Sequence, residues 1–444
     1  MSDRPGLLVV NAGEIATLAG GIRRGSTQAD IGLLSTDDQS AGGPSRLTLA
    51  AYEGRIVAVG GRDEVDRRLA GLGIGSDRLT ILDANGGTVT PGLIDAHTHL
   101  VFAGDRHAEL ELRQRGASYL DILAAGGGIL QTVRLTRAAS DDELLAHGRR
   151  WLAEMLSHGV TTVEVKSGYG LNVATELRQL AVAAQLAAEG PLDIVPTFLG
   201  AHAVAPEFRD RPAPADAYID HVVGEQLPAV VEQGIAGTCD VFCERGVFER
   251  PQVRRLFDAA RAAGLSLRLH ADELHDSGGA ELAADHGALS ADHLAAISDA
   301  GIEALGRAAD GGTPVVATLL PATTFYLLSD HYAPARRLVE RGVPVALGTD
   351  FNPGSSPTAN VQLVMSLACL KLGLSAAEAL AALTINAAAA LGMADSRGTL
   401  EAGRHADLVV WNVPSHRQLP YWLAAGNLVQ VVVKRGRVVH RAAG

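Results

Sequence analysis

The chain has 444 residues, more than one ordinary core accommodates, and its 47% hydrophobic and 20% charged residues are a globular rather than a disordered composition. A net charge of −12 with a pI near 5.7 argues against a nucleic-acid or anionic-membrane surface. Three cysteines, Cys239, Cys243 and Cys369, with no C-x-x-C spacing, exclude a disulfide framework and a zinc ribbon, and burial is the expectation for the first two.

The first ten residues show no long apolar run after a basic stretch. No run of about 18 uncharged apolar residues suggests a membrane span, so a cytoplasmic protein without membrane or nucleic-acid partners is expected. Residues 6–90 read as short β segments, at Leu7–Val10, Leu47–Ala50, Arg55–Val59 and Leu79–Leu82, separated by Gly and Asp clusters. Residues 19–45, rich in Gly, Ser and Asp, read as a surface loop with no assigned role. Between these pieces and the C-terminus, strands alternate with helices. Eight strand candidates open with Val89–Val101 and continue at Thr161–Val165, Asp193–Phe198, Cys239–Phe242, Leu265–Leu269, Ala288–Asp292, Pro314–Thr318 and Pro344–Leu347. Ala174–Ala188 and Arg250–Ala263 typify the helical segments between them. Such alternation predicts parallel βαβ units, and eight of them fit a closed (β/α)8 TIM-like barrel, an α/β fold. An open doubly wound sheet is the competing architecture, but no G-x-G-x-x-G follows the first strand. β patterns return at Asp407–Trp411 and Val429–Lys434, with Gly436 closing a turn. The two ends are therefore expected to combine into a small β-sandwich domain, residues 1–88 and 393–444, flanking a barrel over 89–392.

Polar residues gather where the predicted strands end, which is where barrels of this kind place their chemistry. His97 and His99 at i and i+2 share one face of an extended chain, so both imidazoles can reach one transition metal. By itself the pair is weak evidence among fifteen histidines. Lys166 and Tyr169 follow the second strand, His202 the third, and His270, Asp272 and Glu273 the fifth. Asp292-His293 end the sixth, and Asp350, Asn352, Gly354 and Ser355 the eighth. Titratable residues at the same end of so many strands point to one convergent site holding a metal.

The His-x-His on strand 1, His270 on strand 5, His293 on strand 6 and Asp350 on strand 8 resemble the amidohydrolase superfamily, and the terminal β pieces resemble its composite sandwich. Six stretches are similar more narrowly to the imidazolonepropionase family of histidine degradation: His97–Arg106, Gly126–Arg134, Glu164–Leu171, Phe198–His202, His270–Glu273 and Gly348–Gly354. The resemblance covers the barrel and the C-terminal segment.

That resemblance implies metal ligands His97, His99, His270 and Asp350, three imidazoles and a carboxylate with room left for water. Many relatives hold a second metal through a lysine on strand 4. Here that strand reads Cys239 to Glu244 without a lysine, so one divalent metal per chain is expected, zinc or iron. Lys166, on strand 2, is expected to be structural or electrostatic. The implied substrate is 4-imidazolone-5-propanoate, whose ring water opens to N-formimidoyl-L-glutamate. Glu273, His293 and Asp350 are the candidates for placing water and moving protons, with Glu273 favoured for the ring and His293 supporting; their division of labour stays open. Arg106 offers a bidentate fork to the propanoate, the competing possibility being a surface salt bridge with Asp105 or Glu109. Tyr169, His202, Glu273, Asn352, Gly354 and Ser355 complete the implied substrate set. His107, His158, His405, His416 and His440 lack matching context. Related enzymes imply a homodimer. Another cyclic-amide hydrolase or a nucleobase aminohydrolase is the alternative activity, and a metal-holding scaffold without catalysis the alternative class.

Overall fold

The computed structural model describes residues 5–36, 46–116, 127–423 and 426–442. Residues 37–45 of the expected loop and Gly126 of the glycine-rich motif lie outside these.

Eight parallel strands pair in sequence order: β1 (Leu93–Asp95), β2 (Val160–Lys166), β3 (Asp193–Ala201), β4 (Thr238–Cys243), β5 (Ser266–Ala271), β6 (Ser290–His293), β7 (Val316–Leu319) and β8 (Val345–Leu347). Each falls on a predicted stretch. The seam between first and last strands closes just beyond their ends. There the Asp350 N–H donates to His97 O at 2.9 Å, the His99 N–H donates to Phe351 O at 2.9 Å, and Thr98 bridges Phe351 in parallel.

Helices cover the barrel because their apolar residues recur on one face. The Asp141–Ser157 helix buries Leu144, Leu145, Leu152 and Met155. Ser140 and Glu143 form a capping box at its start, which satisfies orphan N–H groups of the first turn. Asn172 caps Val173–Glu189 in the same way, accepting from the Thr175 N–H at 2.9 Å.

The expected first strand, Val89–Val101, is divided in the structure. Thr88–Pro91 pairs antiparallel with Leu408–Trp411 in another sheet, and only Leu93–Asp95 joins the barrel. Gly92 is the crossing point, where a Cβ would overlap the Thr161 side chain. Both pieces are buried throughout, so a change in burial does not mark the division. His97 and His99 follow the end of β1 rather than lying within it.

The chain ends do combine. One sheet orders Arg55–Gly61, Leu47–Tyr52, Gly6–Ala12 and Leu79–Asp83. The other orders Arg437–Arg441, Val429–Lys434, Leu408–Trp411, Thr88–Pro91, Glu14–Ala16 and Leu33–Ser35. Leu7, Val9, Leu47 and Leu49 from the first sheet meet Leu408, Val410, Val431 and Val433 from the second. Along Leu408–Trp411 the side chains alternate between cores: Leu408 and Val410 enter this sandwich, while Val409 and Trp411 enter the barrel cluster. Burial on both faces explains the unbroken apolar run there.

The described part of 19–45 is not a detached surface loop. Gln28 is buried, donating to Val345 O at 3.0 Å, and the Arg23 N–H donates to Asn386 Oδ1 at 2.8 Å. Leu33–Ser35 adds an edge strand to the second sheet. Its polar composition reflects side chains that satisfy backbone groups across the barrel floor. Cys239 and Cys243 are buried and unbridged.

Candidate metal centre

Beyond β1 the chain stays extended, so His97 and His99 project to one side, and the seam brings Asp350 against both. His97 Nε2 lies 3.5 Å from Asp350 Oδ1, and His99 Nε2 lies 3.4 Å from the same oxygen. From β5, His270 Nε2 lies 3.4 Å from His99 Nε2. Ligand bonds of about 2.0–2.1 Å in a tetrahedron place donor atoms about 3.3 Å apart, which these separations match. His97 Nε2 is buried with no hydrogen-bond partner, which would cost stability in an empty apolar site but suits a cation. The donor atoms fall into overlapping groups, His97–His99–Asp350, His97–His270–His293 and His99–His202–His270, so His202 and His293 stand close to the expected four.

Two of the far nitrogens of these rings face carboxylates, whereas His99 Nδ1 has no hydrogen-bond partner among the described residues. His97 Nδ1 lies 2.7 Å from Asp292 Oδ2, and His270 Nδ1 lies 3.0 Å from Asp240 Oδ2. Beneath them Lys166 Nζ contacts Glu164 and Asp240 at 2.8 and 2.7 Å, and Arg268 reaches Asp292 at 2.9 Å and Glu164 at 3.2 Å. All five are buried. Burial opposes it, but Arg268 and Lys166 hold the Asp292 carboxyl down at about 2. Burial, reinforced by Lys166 and neighbouring imidazoles, keeps His97 far below the usual histidine range, and burial with His270 and Lys166 does the same to His99. Neutral imidazole is the form that binds a metal. The expectation of an electrostatic Lys166 thus acquires a physical content: it neutralises the carboxylates behind the ligands. Sequence reasoning named Lys166 and Asp292 at strand ends but did not connect them, and it gave Glu164, Asp240 and Arg268 no role. The signal was a charged residue inside otherwise apolar strands, Asp240 in β4 and Arg268 in β5.

Asp350 and His293 adopt positive φ, 53° and 75°, and Asp272 does so at 51°. Non-glycine residues hold that conformation only where surroundings impose it, and here all three lie at strand ends facing the cleft or just behind it. Asp350 Oδ2 accepts from Thr323 Oγ1 at 2.7 Å, which leaves Oδ1 for the histidines.

Above the histidines opens a cleft of about 450 Å³. Its walls include Arg106, Tyr169, His202, Glu273, Asn352 and Ser355, with His99, His270, His293 and Asp350 toward the floor. His97 lies beneath. His202 stacks on His99 with centroids 4.8 Å apart, and its Nδ1 lies 3.1 Å from Gly168 O. The Nδ1 proton this contact calls for leaves Nε2 as an acceptor. Asn352 accepts the Gly354 and Ser355 N–H groups at 2.8 Å each, so its amide carbonyl shapes this loop. Gly354 underlies Arg106, where a Cβ would occupy the space of the guanidinium. Arg106 does pair with Glu109, as the competing expectation had it, but the pair is buried rather than on the surface. Asp105 pairs instead with His107.

Glu273 and His293 face each other, Oε2 to Nε2, at 3.8 Å. Burial, and then the Asp350 and Glu244 carboxylates, push Glu273 up to about 8, while burial takes His293 down to about 3. A carboxylic acid beside a neutral imidazole is a donor next to an acceptor, a pairing suited to hydrolysis. Of the histidines without matching context, His416 pairs with Glu14 at 2.8 Å and His158 with Glu154 at 3.3 Å. No helix among the described residues is long and apolar enough to cross a membrane.

Residues 88–439 match the model of the amidohydrolase family. An imidazolonepropionase from Symbiobacterium thermophilum is 50% identical over 434 residues, 98% of this chain and 97% of that one. Another from Geobacillus kaustophilus is 53% identical, covering 87% of this chain and 88% of that one. Among solved structures, the chain is similar in fold to a 5-methylcytosine deaminase from Klebsiella pneumoniae, with TM-score 0.68, 15% identity and 99% coverage of both chains. A triazine hydrolase variant is also similar, with TM-score 0.71, 19% identity, and 98% and 95% coverage.

Proposed function

The chain belongs to the imidazolonepropionase family of amidohydrolases, and on that premise we propose that its cleft binds 4-imidazolone-5-propanoate and hydrolyses the ring amide to give N-formimidoyl-L-glutamate. The observation that carries this reading is the placing of Arg106 on the wall of the cleft whose floor holds the histidine and aspartate donors. The substrate has a reacting ring at one end and a carboxylate at the other, and the cleft offers a partner for each.

The metal would be held by His97, His99, His270 and Asp350, whose donor separations and neutral imidazoles support this assignment. A divalent cation there, zinc or iron, supplies Lewis acidity and makes water a competent nucleophile near neutral pH. One cation per chain is favoured because β4 carries no lysine to bridge a second, and Lys166 is already committed to Glu164 and Asp240. Arg106 binds the propanoate through charge-assisted bonds. Tyr169, His202, Asn352, Gly354 and Ser355 orient the ring and chain from the neighbouring loops. His293, neutral and with a buried Nε2 lacking a hydrogen-bond partner, accepts the proton of the attacking water. Glu273, held in its acid form, gives a proton to the ring nitrogen as its bond to the carbonyl carbon breaks. Water's oxygen ends on that carbon as the new carboxylate. Asp350 holds its second oxygen on Thr323 and so keeps the first directed at the site. Family membership also supports a homodimer in the cytoplasm.

A product assay separates this reading from the nucleobase alternative. The purified protein is expected to convert 4-imidazolone-5-propanoate to formimidoyl-glutamate without releasing ammonia. Ammonia release from cytosine, guanine or adenosine, with no ring opening of the imidazolone, would contradict it.

A further inference from the structure

We propose that Glu109 is the positioning residue that aims Arg106 at the substrate carboxylate; this rests on the substrate reading above. Glu109 is 4% exposed and lies behind the cleft lining, on the helix His107–Gln114. Its Oε2 accepts from Arg106 Nε at 3.0 Å and stands 3.0 Å from Arg106 Nη2. The same oxygen accepts from Arg113 Nη2 at 3.3 Å, and Oε1 accepts the Gly128 N–H at 2.7 Å. One buried carboxylate thus gathers two guanidinium groups and the glycine at the start of the Ile129–Ala138 helix.

The consequence for Arg106 is geometric. Its Nε–Nη2 edge is fixed by Glu109, and its guanidinium lies over Gly354, where any side chain would displace it. What remains is the Nη1–Nη2 edge, with Nη1 unpaired among the described residues, on the wall of the cleft. That edge is the fork a carboxylate meets with two parallel bonds. Fixing it in advance removes rotamer entropy that binding would otherwise lose. Glu109 touches neither the ring nor the histidines, so its effect is confined to the acid end of the substrate.

The test compares 4-imidazolone-5-propanoate with its uncharged propanamide analogue. In Glu109→Gln the KM for the acid is expected to rise about tenfold or more while kcat stays within about threefold, the size of one charge-assisted contact. Turnover of the amide should be little changed, so the preference for acid over amide collapses. Glu109→Asp, which keeps the charge, should recover part of it. If Glu109→Gln does not fold, Glu109→Asp carries the same test, because it withdraws the carboxylate by one methylene and should give an intermediate rise in the KM for the acid alone. An unchanged KM, or equal losses on acid and amide in folded, metal-loaded protein, would overturn the role given to Glu109. Wild-type protein that fails to open the imidazolone would instead overturn the substrate reading, and this inference with it.

Discussion

The Asp350 N–H donates to the carbonyl of His97 at 2.9 Å, so the hydrogen bond that closes the barrel is made by two of the residues proposed to hold its metal. Barrel closure and ligand convergence are therefore one event. Their side chains meet at 3.5 Å because their backbones are already paired.

Asp292 should matter to metal affinity without being a ligand. It holds His97 Nδ1 at 2.7 Å and is itself held by Arg268 at 2.9 Å. Asp292→Asn removes the charge that orients the ring and leaves Arg268 and Lys166 undercompensated. Metal affinity, measured by competition with a chelator, is expected to fall about 10- to 100-fold. Unaltered affinity in folded protein would show that the ring is oriented by packing alone.

Glu273→Gln should retain metal and lose about 10²- to 10⁴-fold in kcat. The wild-type carboxyl, pushed up to about 8 by burial and then by Asp350 and Glu244, is protonated below that pH and loses its proton above it. Activity that depends on the acid form falls as pH rises through this value. A cation bound at Asp350 offsets one of the raising charges and moves the limb toward neutral pH. The limb should vanish from the pH profile of Glu273→Gln, and its persistence would assign it to another group.

Acid should destabilise the fold through His147. Burial, and secondarily Arg150, lowers this histidine to about 4 from the usual 6.5, where it packs against Phe102 with centroids 4.3 Å apart. The unfolded chain binds the proton more readily, so the stabilising contribution is complete above about pH 6.5 and is lost as pH falls toward 4. Within that window each pH unit costs at most about 1.4 kcal/mol. Denaturant melts of His147→Gln at pH 7 and pH 5 should show a smaller difference than wild type.

Asp193, at the start of β3, accepts from Lys434 at 2.8 Å and Arg397 at 2.6 Å, and so ties the barrel to the C-terminal strands. Asp193→Asn leaves those cations converging on a neutral group. A stability loss of about 1–3 kcal/mol is expected, with activity per folded molecule retained because the cleft lies at the other end of the strands. Lost activity at full stability would show coupling between the two ends of the barrel.

The barrel was legible because each strand is a short, largely apolar run and six of them carry polar residues at the same end. His97, His99 and Asp350 could be named for that reason. The division of Val89–Val101 was hidden because Thr88–Pro91 and Leu93–Asp95 are equally buried and differ only in which sheet they join. Gln28 looked like loop because its partners, Val345 and Asn386, are more than 300 residues away. Asp240 and Arg268 were hidden because their partners sit on other strands. Each is a lone charge within its strand, and only barrel closure shows that Lys166, Glu164 and Asp292 surround them. Glu109 was seen only as a competitor for Arg106, whereas the structure makes it a support.

The most direct measurement is metal content per chain taken on the same preparation as turnover of 4-imidazolone-5-propanoate, before and after chelation and after zinc or iron is restored. About one metal per chain, with formimidoyl-glutamate formation that disappears on chelation and returns with the metal, is the predicted result. Undiminished turnover by fully metal-depleted protein would contradict the central claim that His97, His99, His270 and Asp350 assemble a catalytic metal centre.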